Sequence, residues 1–175
     1  VKVPAFPSDS ELGTFVIGLI VGPSGSGKSL IRRHLFGDEM VTGSAWDANR
    51  TIRSHFDSTD DFDARVSLLG LDPDFLGDLT VKSLSDGEFH VISIARLLVH
   101  RDQLTKDNQR TVCLDEFTCA LDRITAARVA RGVAEWVRTH CAARYVFVTC
   151  HEDLDRALRP DWVYHTGLQT CYWRA

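Results

Sequence analysis

Gly22-Pro23-Ser24-Gly25-Ser26-Gly27-Lys28-Ser29 fits the phosphate-binding loop pattern G-x-x-x-x-G-K-[ST]. Gly22, Gly25 and Gly27 let the backbone curl so that its N–H groups turn inward towards phosphate oxygens. Lys28 brings a full charge to the β- and γ-phosphates, and Ser29 brings a hydroxyl for Mg²⁺. Leu30 continues into a helix whose positive end faces the anion. In front of the loop, Phe15-Val16-Ile17-Gly18-Leu19-Ile20-Val21 is an apolar run too short and too β-branched for a helix. Behind it, Lys28 to about Phe36 reads as a helix stopped by Gly37-Asp38. The loop thus lies between a strand and a helix, as the motif requires, and predicts a bound nucleoside triphosphate.

Farther out, the same alternation repeats. Thr111-Val112-Cys113-Leu114 is a second buried strand and Tyr145 to Thr149 a third. Apolar spacing predicts helices over Glu88 to about His100 and Ile124 to His140, with shorter ones at Phe62 to Leu69 and Leu154 to Leu158. Strands are expected at Trp162 to His165 and Gln169 to Trp173. The polar stretch from Met40 to Asp61 offers only a short strand around Thr51 to Phe56. Strands alternating with helices imply an α/β fold with a mostly parallel sheet flanked by helices, which gathers ligands at the carboxyl ends of its strands. No repeat or linker divides the sequence, so residues 1–175 are expected to form one domain.

The second strand ends at Asp115-Glu116. Beside a phosphate loop, an Asp at this point orders the Mg²⁺ shell and the Glu after it polarises the attacking water as general base.

Leu84-Ser85-Asp86-Gly87-Glu88, followed by Ile94-Ala95-Arg96, resembles the LSGGQ…IAR signature of ABC-type ATPases. On residues alone, Ser85 to Glu88 is equally a turn and helix cap. Order supports the resemblance. Asp115-Glu116-Phe117-Thr118-Cys119-Ala120-Leu121-Asp122 is similar to the family's DEPTSALD, and His151 follows the third strand where the family has its switch histidine. The likeness spans about Thr14 to His165. It implies a P-loop nucleotide-binding domain of ABC type that binds ATP with Mg²⁺ and works as an ATP-dependent head-to-tail dimer. In such a dimer Ser85 and Gly87 touch the γ-phosphate held by the other subunit and Asp122 reports across the interface. Lys28, Glu116 and His151 carry catalysis, and Ser29 and Asp115 hold the metal. Asp115-Glu116-Phe117-Thr118, Cys150-His151-Glu152-Asp153 and Pro160-Asp161-Trp162 look closer to small microbial and phage-associated ATPases, some joined to an acetyltransferase-like domain, than to transporter subunits.

The sequence also departs from the family. Asp86 stands where the first signature Gly belongs and brings a carboxylate towards a γ-phosphate, a like-charge contact of about 1 kcal/mol in water at ~4 Å. The three glutamines, Gln103, Gln109 and Gln169, all lie outside the interval from Lys28 to Ser85, so the family's Q-loop Gln is missing. Asp47, His55 and Asp57 are candidate substitutes, and Phe6 is the candidate adenine-stacking aromatic. The short interval before Ser85 predicts a reduced helical subdomain at about 38–100.

Net charge of −4 gives the fold as a whole no basic character suited to coating nucleic acid, though it leaves room for local patches, and no apolar run is long enough for a membrane span. Five cysteines without C-x-x-C spacing read as reduced, mostly buried thiols of a cytoplasmic protein. The acidic zone at Asp57, Asp60, Asp61, Asp63, Asp72, Asp74 and Asp78 reads as a solvated face. Arg32-Arg33-His34 and Arg128, Arg131 and Arg138 read as exposed helix faces, and Trp136, Trp162 and Trp173 as core anchors. An unidentified protein partner or flanking domain is compatible with the sequence. A non-hydrolysing ATP switch and a P-loop small-molecule kinase are the alternative functions.

Overall fold

Every residue of the first strand, β1 (Ile17–Val21), is buried, as its run of Ile, Gly, Leu, Ile and Val requires when helices cover both faces of a sheet. The computed structural model describes residues 14–37, 45–98, 111–140 and 143–173. Among them β2 (Thr111–Leu114), β3 (Arg144–Thr149), β4 (Trp162–His165) and β5 (Thr170–Trp173) join β1 in a sheet of order β2-β3-β1-β4-β5. The first four strands are parallel and β5 returns antiparallel on β4.

Side-chain alternation sorts the two faces. Ile17, Leu19 and Val21, with Tyr145 and Phe147, enter the larger apolar cluster beneath α4 (Asp86–Leu97) and α5 (Arg123–His140). Ile20, Val146 and Val148 point the other way, towards Trp162 and Ile31 of α1 (Lys28–Phe36). Val129, Val133, Trp136 and Val137 are the buried stripe of α5, each large side chain stabilising the fold by about 1.5–3 kcal/mol. Gly18 is required by packing, since a Cβ there would strike the indole of Trp162.

Asp161 ties the start of β1. Its Oδ2 accepts the N–H groups of Val16 (2.7 Å) and Ile17 (2.8 Å), and Arg138 donates to Oδ1 at 3.0 Å. Burial alone would raise its pKa, but these bonds outweigh it and hold the carboxyl below its ordinary value. Its contribution to stability is therefore present above the unfolded-state pKa and lost as pH falls through the folded one.

Between the loop and the signature, α2 (Thr59–Leu68) and α3 (Pro73–Leu76) form a small helical region. Ser58 caps α2 by accepting from Asp61 N, and Asp72 caps α3. The strand expected at Thr51 to Phe56 is instead a single bridge from Thr51 to Thr80 and a 3₁₀ turn over Arg53–His55. Ile52 N and Arg53 N are satisfied by the carbonyls of Leu79 and Gly77, so this segment has no longer ladder to join.

Three surface expectations are corrected. Arg32 is 1% exposed, because its guanidinium turns under α1 to donate to Gly37 O and faces Asp115. The acidic zone is not wholly solvated: Asp61 pairs with buried Arg65 at 2.7 Å, and Asp63 pairs with Arg53. Trp136 and Trp162 are core residues, but Trp173 on edge strand β5 is 48% exposed. Phe6, Met40, Gln103, Gln109 and Cys141 lie outside the described residues.

Candidate functional site

The carboxyl ends of β1, β2 and β3 converge on one cleft of about 400 Å³. It is lined by Ser24, Gly25, Gly27, Lys28, Ser29, Leu30, Asp115, Glu116, Cys119 and Cys150. The phosphate loop and the acidic pair, far apart in sequence, thus face the same space because β1 and β2 both flank β3.

The loop is held open by its own backbone. Gly27 has φ +88° and caps α1, while Gly22 has φ +150° and lies where a Cβ would strike Thr166. Pro23 O accepts from Ser26 N at 3.2 Å. Lys28 Nζ donates to the carbonyls of Gly22 and Pro23, each at 2.8 Å, which folds the ammonium over the loop. Thr166, a residue no motif singles out, completes the support. Its Oγ1 donates to Val21 O at 3.1 Å and lies 2.6 Å from Ser26 Oγ.

Glu116 follows Asp115 in a left-handed conformation, φ +53°. Such a backbone costs a non-glycine residue on the order of 1 kcal/mol and is found at sites where a side chain must be aimed. Asp115 Oδ1 accepts from Glu116 N at 3.0 Å, and Asp115 Oδ2 stands 3.9 Å from Arg32 Nη2. The hydroxyl of Ser29 and the carboxylate of Asp115 are hard oxygen donors on one cleft, a set that suits Mg²⁺. The described residues contain no cluster of three or more His, Cys, Asp or Glu suited to a metal.

His151 follows β3 on a separate segment. Thr118 Oγ1 lies 3.1 Å from its Nδ1 and 2.9 Å from Thr149 Oγ1, joining the turn after Glu116 to the turn after β3. Burial, aided by the positive charge of Arg123, lowers the His151 pKa and favours the neutral imidazole. His151 does not line the cleft itself, whereas its neighbour Cys150 does.

The signature lies elsewhere. Gly87 and Asp122 line a second cleft of about 240 Å³, together with Glu88, Ala120, Leu121 and Arg128. Ser85 is the N-cap of α4 in a full capping box: its hydroxyl contacts Glu88 Oε2 at 2.6 Å, and Glu88 Oε2 also accepts Ser85 N–H at 2.9 Å. The bond from Ser85 holds the Glu88 carboxyl below its ordinary pKa. Asp122 caps α5, accepting from Ile124 N (2.9 Å) and Thr125 N (3.0 Å). The cap geometry that the residues alone suggested is therefore realised, and Asp86 is the first residue of α4 with an exposed side chain.

Of the candidate Q-loop substitutes, none lines the first cleft. Asp47 N donates to His55 Nε2 at 3.1 Å, and His55 Nδ1 lies 2.9 Å from Thr51 O, so both belong to a local turn. The thiols also differ from expectation. Of the four cysteines among the described residues, Cys113 is buried, Cys119 is exposed, and Cys150 and Cys171 are half-buried. The sulfurs of Cys119 and Cys150 are 3.3 Å apart.

No protein-family model matches the chain, and no curated protein matches it. Solved structures do. A dimeric bacterial ABC transporter cassette aligns with 86% of this chain and 80% of its own at 14% identity, TM-score 0.58. The dimeric post-hydrolysis state of that ATP-binding cassette, bound to ADP and Pi, gives the same identity and coverage with TM-score 0.55. A metal-chelate-type ABC transporter in an inward-facing conformation aligns at 20% identity over 91% of this chain and 71% of its own, TM-score 0.55. No helix among the described residues is long and apolar enough to cross a membrane. The chain has the fold of an ABC-type ATP-binding cassette.

Proposed function

We propose that this chain, acting as one cassette domain, is an ATP hydrolase that binds ATP with Mg²⁺ and turns over as a head-to-tail homodimer. The observation that carries this reading is the cleft on which Lys28, Ser29, Asp115 and Glu116 converge at the carboxyl edge of a parallel sheet. The backbone and Lys28 would cradle the phosphates, with Pro23, Ser24, Gly25, Ser26 and Leu30 shaping the loop and the start of its helix. Ser29 and Asp115 would hold Mg²⁺, which when bound supplies charge neutralisation on the β- and γ-phosphates. Glu116 would accept a proton from the attacking water, and neutral His151 would steady that water or the γ-phosphate. The second cleft, with Gly87 and Asp122, would meet the nucleotide of the partner copy, and Ser85 would join once released from Glu88.

A second reading, an ATP switch with little turnover, is favoured by the capping box that occupies Ser85. Free thiols fit a cytoplasmic setting. The narrower likeness to small microbial and phage-associated ATPases rests on wording around Asp115, Cys150 and Pro160 alone.

Phosphate release from the purified protein separates the two readings. Glu116→Gln is expected to lower turnover about 10²- to 10⁴-fold, the usual contribution of a general base, while ATP binding is kept. Equal turnover in the variant and the parent would remove Glu116 from that role, and absence of turnover in the parent would leave the switch.

A further inference from the structure

The geometry points to Cys119 and Cys150 as an oxidisable dithiol, a modification site on the wall of the nucleotide cleft that takes a two-electron oxidant of the peroxide or disulfide class. Their Sγ atoms are 3.3 Å apart, and both residues line the cleft with Glu116 and Asp115. Both are within reach of a small reagent, Cys119 being exposed and Cys150 half-buried.

A disulfide needs its sulfurs about 2.05 Å apart, so roughly 1.3 Å of approach completes the bond. The two turns are already registered for it. Phe117 N donates to Val148 O at 2.9 Å, and the hydroxyls of Thr118 and Thr149 are 2.9 Å apart, so the residues just before each cysteine are fastened together. Cys119 N in turn donates to Glu116 O at 3.1 Å.

With peroxide, one thiol is oxidised to a sulfenic acid and the peroxide is reduced, releasing one water. The second thiol then attacks that sulfur, the S–S bond forms, and the hydroxyl leaves as a second water. With a disulfide oxidant, two successive exchanges give the same bond and two reduced thiols. Although the residue is exposed, partial desolvation of its sulfur, aided by the neighbouring Cys150 thiol, pushes the Cys119 thiol up, which slows attack by its thiolate at neutral pH and suits a bond formed under oxidant load rather than at rest.

The consequence for activity rests on the ATPase reading above. The bond fixes the turn that begins at Glu116 against the segment that begins at His151. It thereby locks the spacing of Glu116 and His151, the two groups assigned to the attacking water, so turnover falls.

The test treats the reduced chain with hydrogen peroxide or oxidised glutathione, maps disulfides in a non-reducing digest by mass spectrometry, and measures ATP turnover before oxidation, after it, and after dithiothreitol. The expected result is a Cys119–Cys150 cross-linked peptide, two hydrogens lighter than the free pair, and a reversible fall in turnover of at least about tenfold. Cys119→Ser and Cys150→Ser should each keep their own reduced-state rate after oxidation. Free thiols at both positions, or pairing of either with another cysteine, would overturn the site. A cross-link that leaves turnover unchanged would overturn its effect on activity. If the reduced protein hydrolyses no ATP, the ATPase reading fails separately, and the peptide map still decides the modification site.

Discussion

The two clefts of this molecule use similar residues to opposite ends. In the first, Ser29 in the first turn of α1 and Asp115 and Glu116 just after β2 line open space at the carboxyl edge of the sheet. Their neighbours supply the mechanical work: Thr166 braces the loop, and a left-handed backbone at Glu116 aims the carboxylate. At the second, the side chains of Asp122 on its wall and of Ser85, two residues before Gly87, are already spent on helix ends, in an N-terminal cap and a capping box. In the first cleft the groups a ligand would meet are held by contacts of the loop and the strand end, Lys28 on the Gly22 and Pro23 carbonyls and Asp115 on Glu116 N–H, whereas in the second a ligand must compete with two helix caps. That difference is why the phosphate loop reads unambiguously while the signature admits two meanings.

The largest effect is expected at Lys28. Lys28→Ala is expected to weaken ATP binding about 100-fold, since charge-assisted bonds to phosphate are worth roughly 1.5–3 kcal/mol each, with little change in unfolding midpoint. Titration calorimetry reads the affinity, and an unchanged affinity would show that the cleft is not a phosphate site. Thr166→Val sharpens the same side. It removes the bonds to Val21 O and Ser26, and the loosened loop should bind ATP about tenfold more weakly, the equivalent of one or two hydrogen bonds.

On the other side, Ser85→Ala should cost the isolated chain about 1 kcal/mol of stability, the usual loss for an N-cap, while ATP affinity of the monomer stays the same. Asp122→Ala should behave in the same direction. Chemical denaturation run beside calorimetry separates the two clefts: affinity without stability for the first, stability without monomer affinity for the second. A Ser85 variant that lost monomer affinity would erase the distinction.

The sequence made the strands legible because each is a short apolar run closed by a chemically loaded segment, and the sheet buries such runs on both faces. The phosphate loop needed only its own spacing. What escaped notice depends on which strands become neighbours. Cys119 and Cys150 meet because Leu114 pairs with Phe147 in parallel register, and no local pattern announces that pairing. Arg32 is buried for a related reason. Arg32-Arg33-His34 looks uniformly polar, but Arg32 follows buried Ile31 on the turn facing β2, so its guanidinium enters the interior beside Asp115. The helical spacing of Ile31 was the available signal. Thr166 stands in no motif at all, and only the adjacency of β4 to β1 brings it under the loop.

In the proposed dimer the two clefts are halves of one site completed by a second copy. Mass in solution, measured by light scattering on Glu116→Gln with and without ATP, tests it most directly. The expected result is a doubling of mass on adding ATP and Mg²⁺, abolished by Ser85→Arg in a protein that still binds ATP as a monomer. A mass that stays monomeric with ATP bound would contradict it.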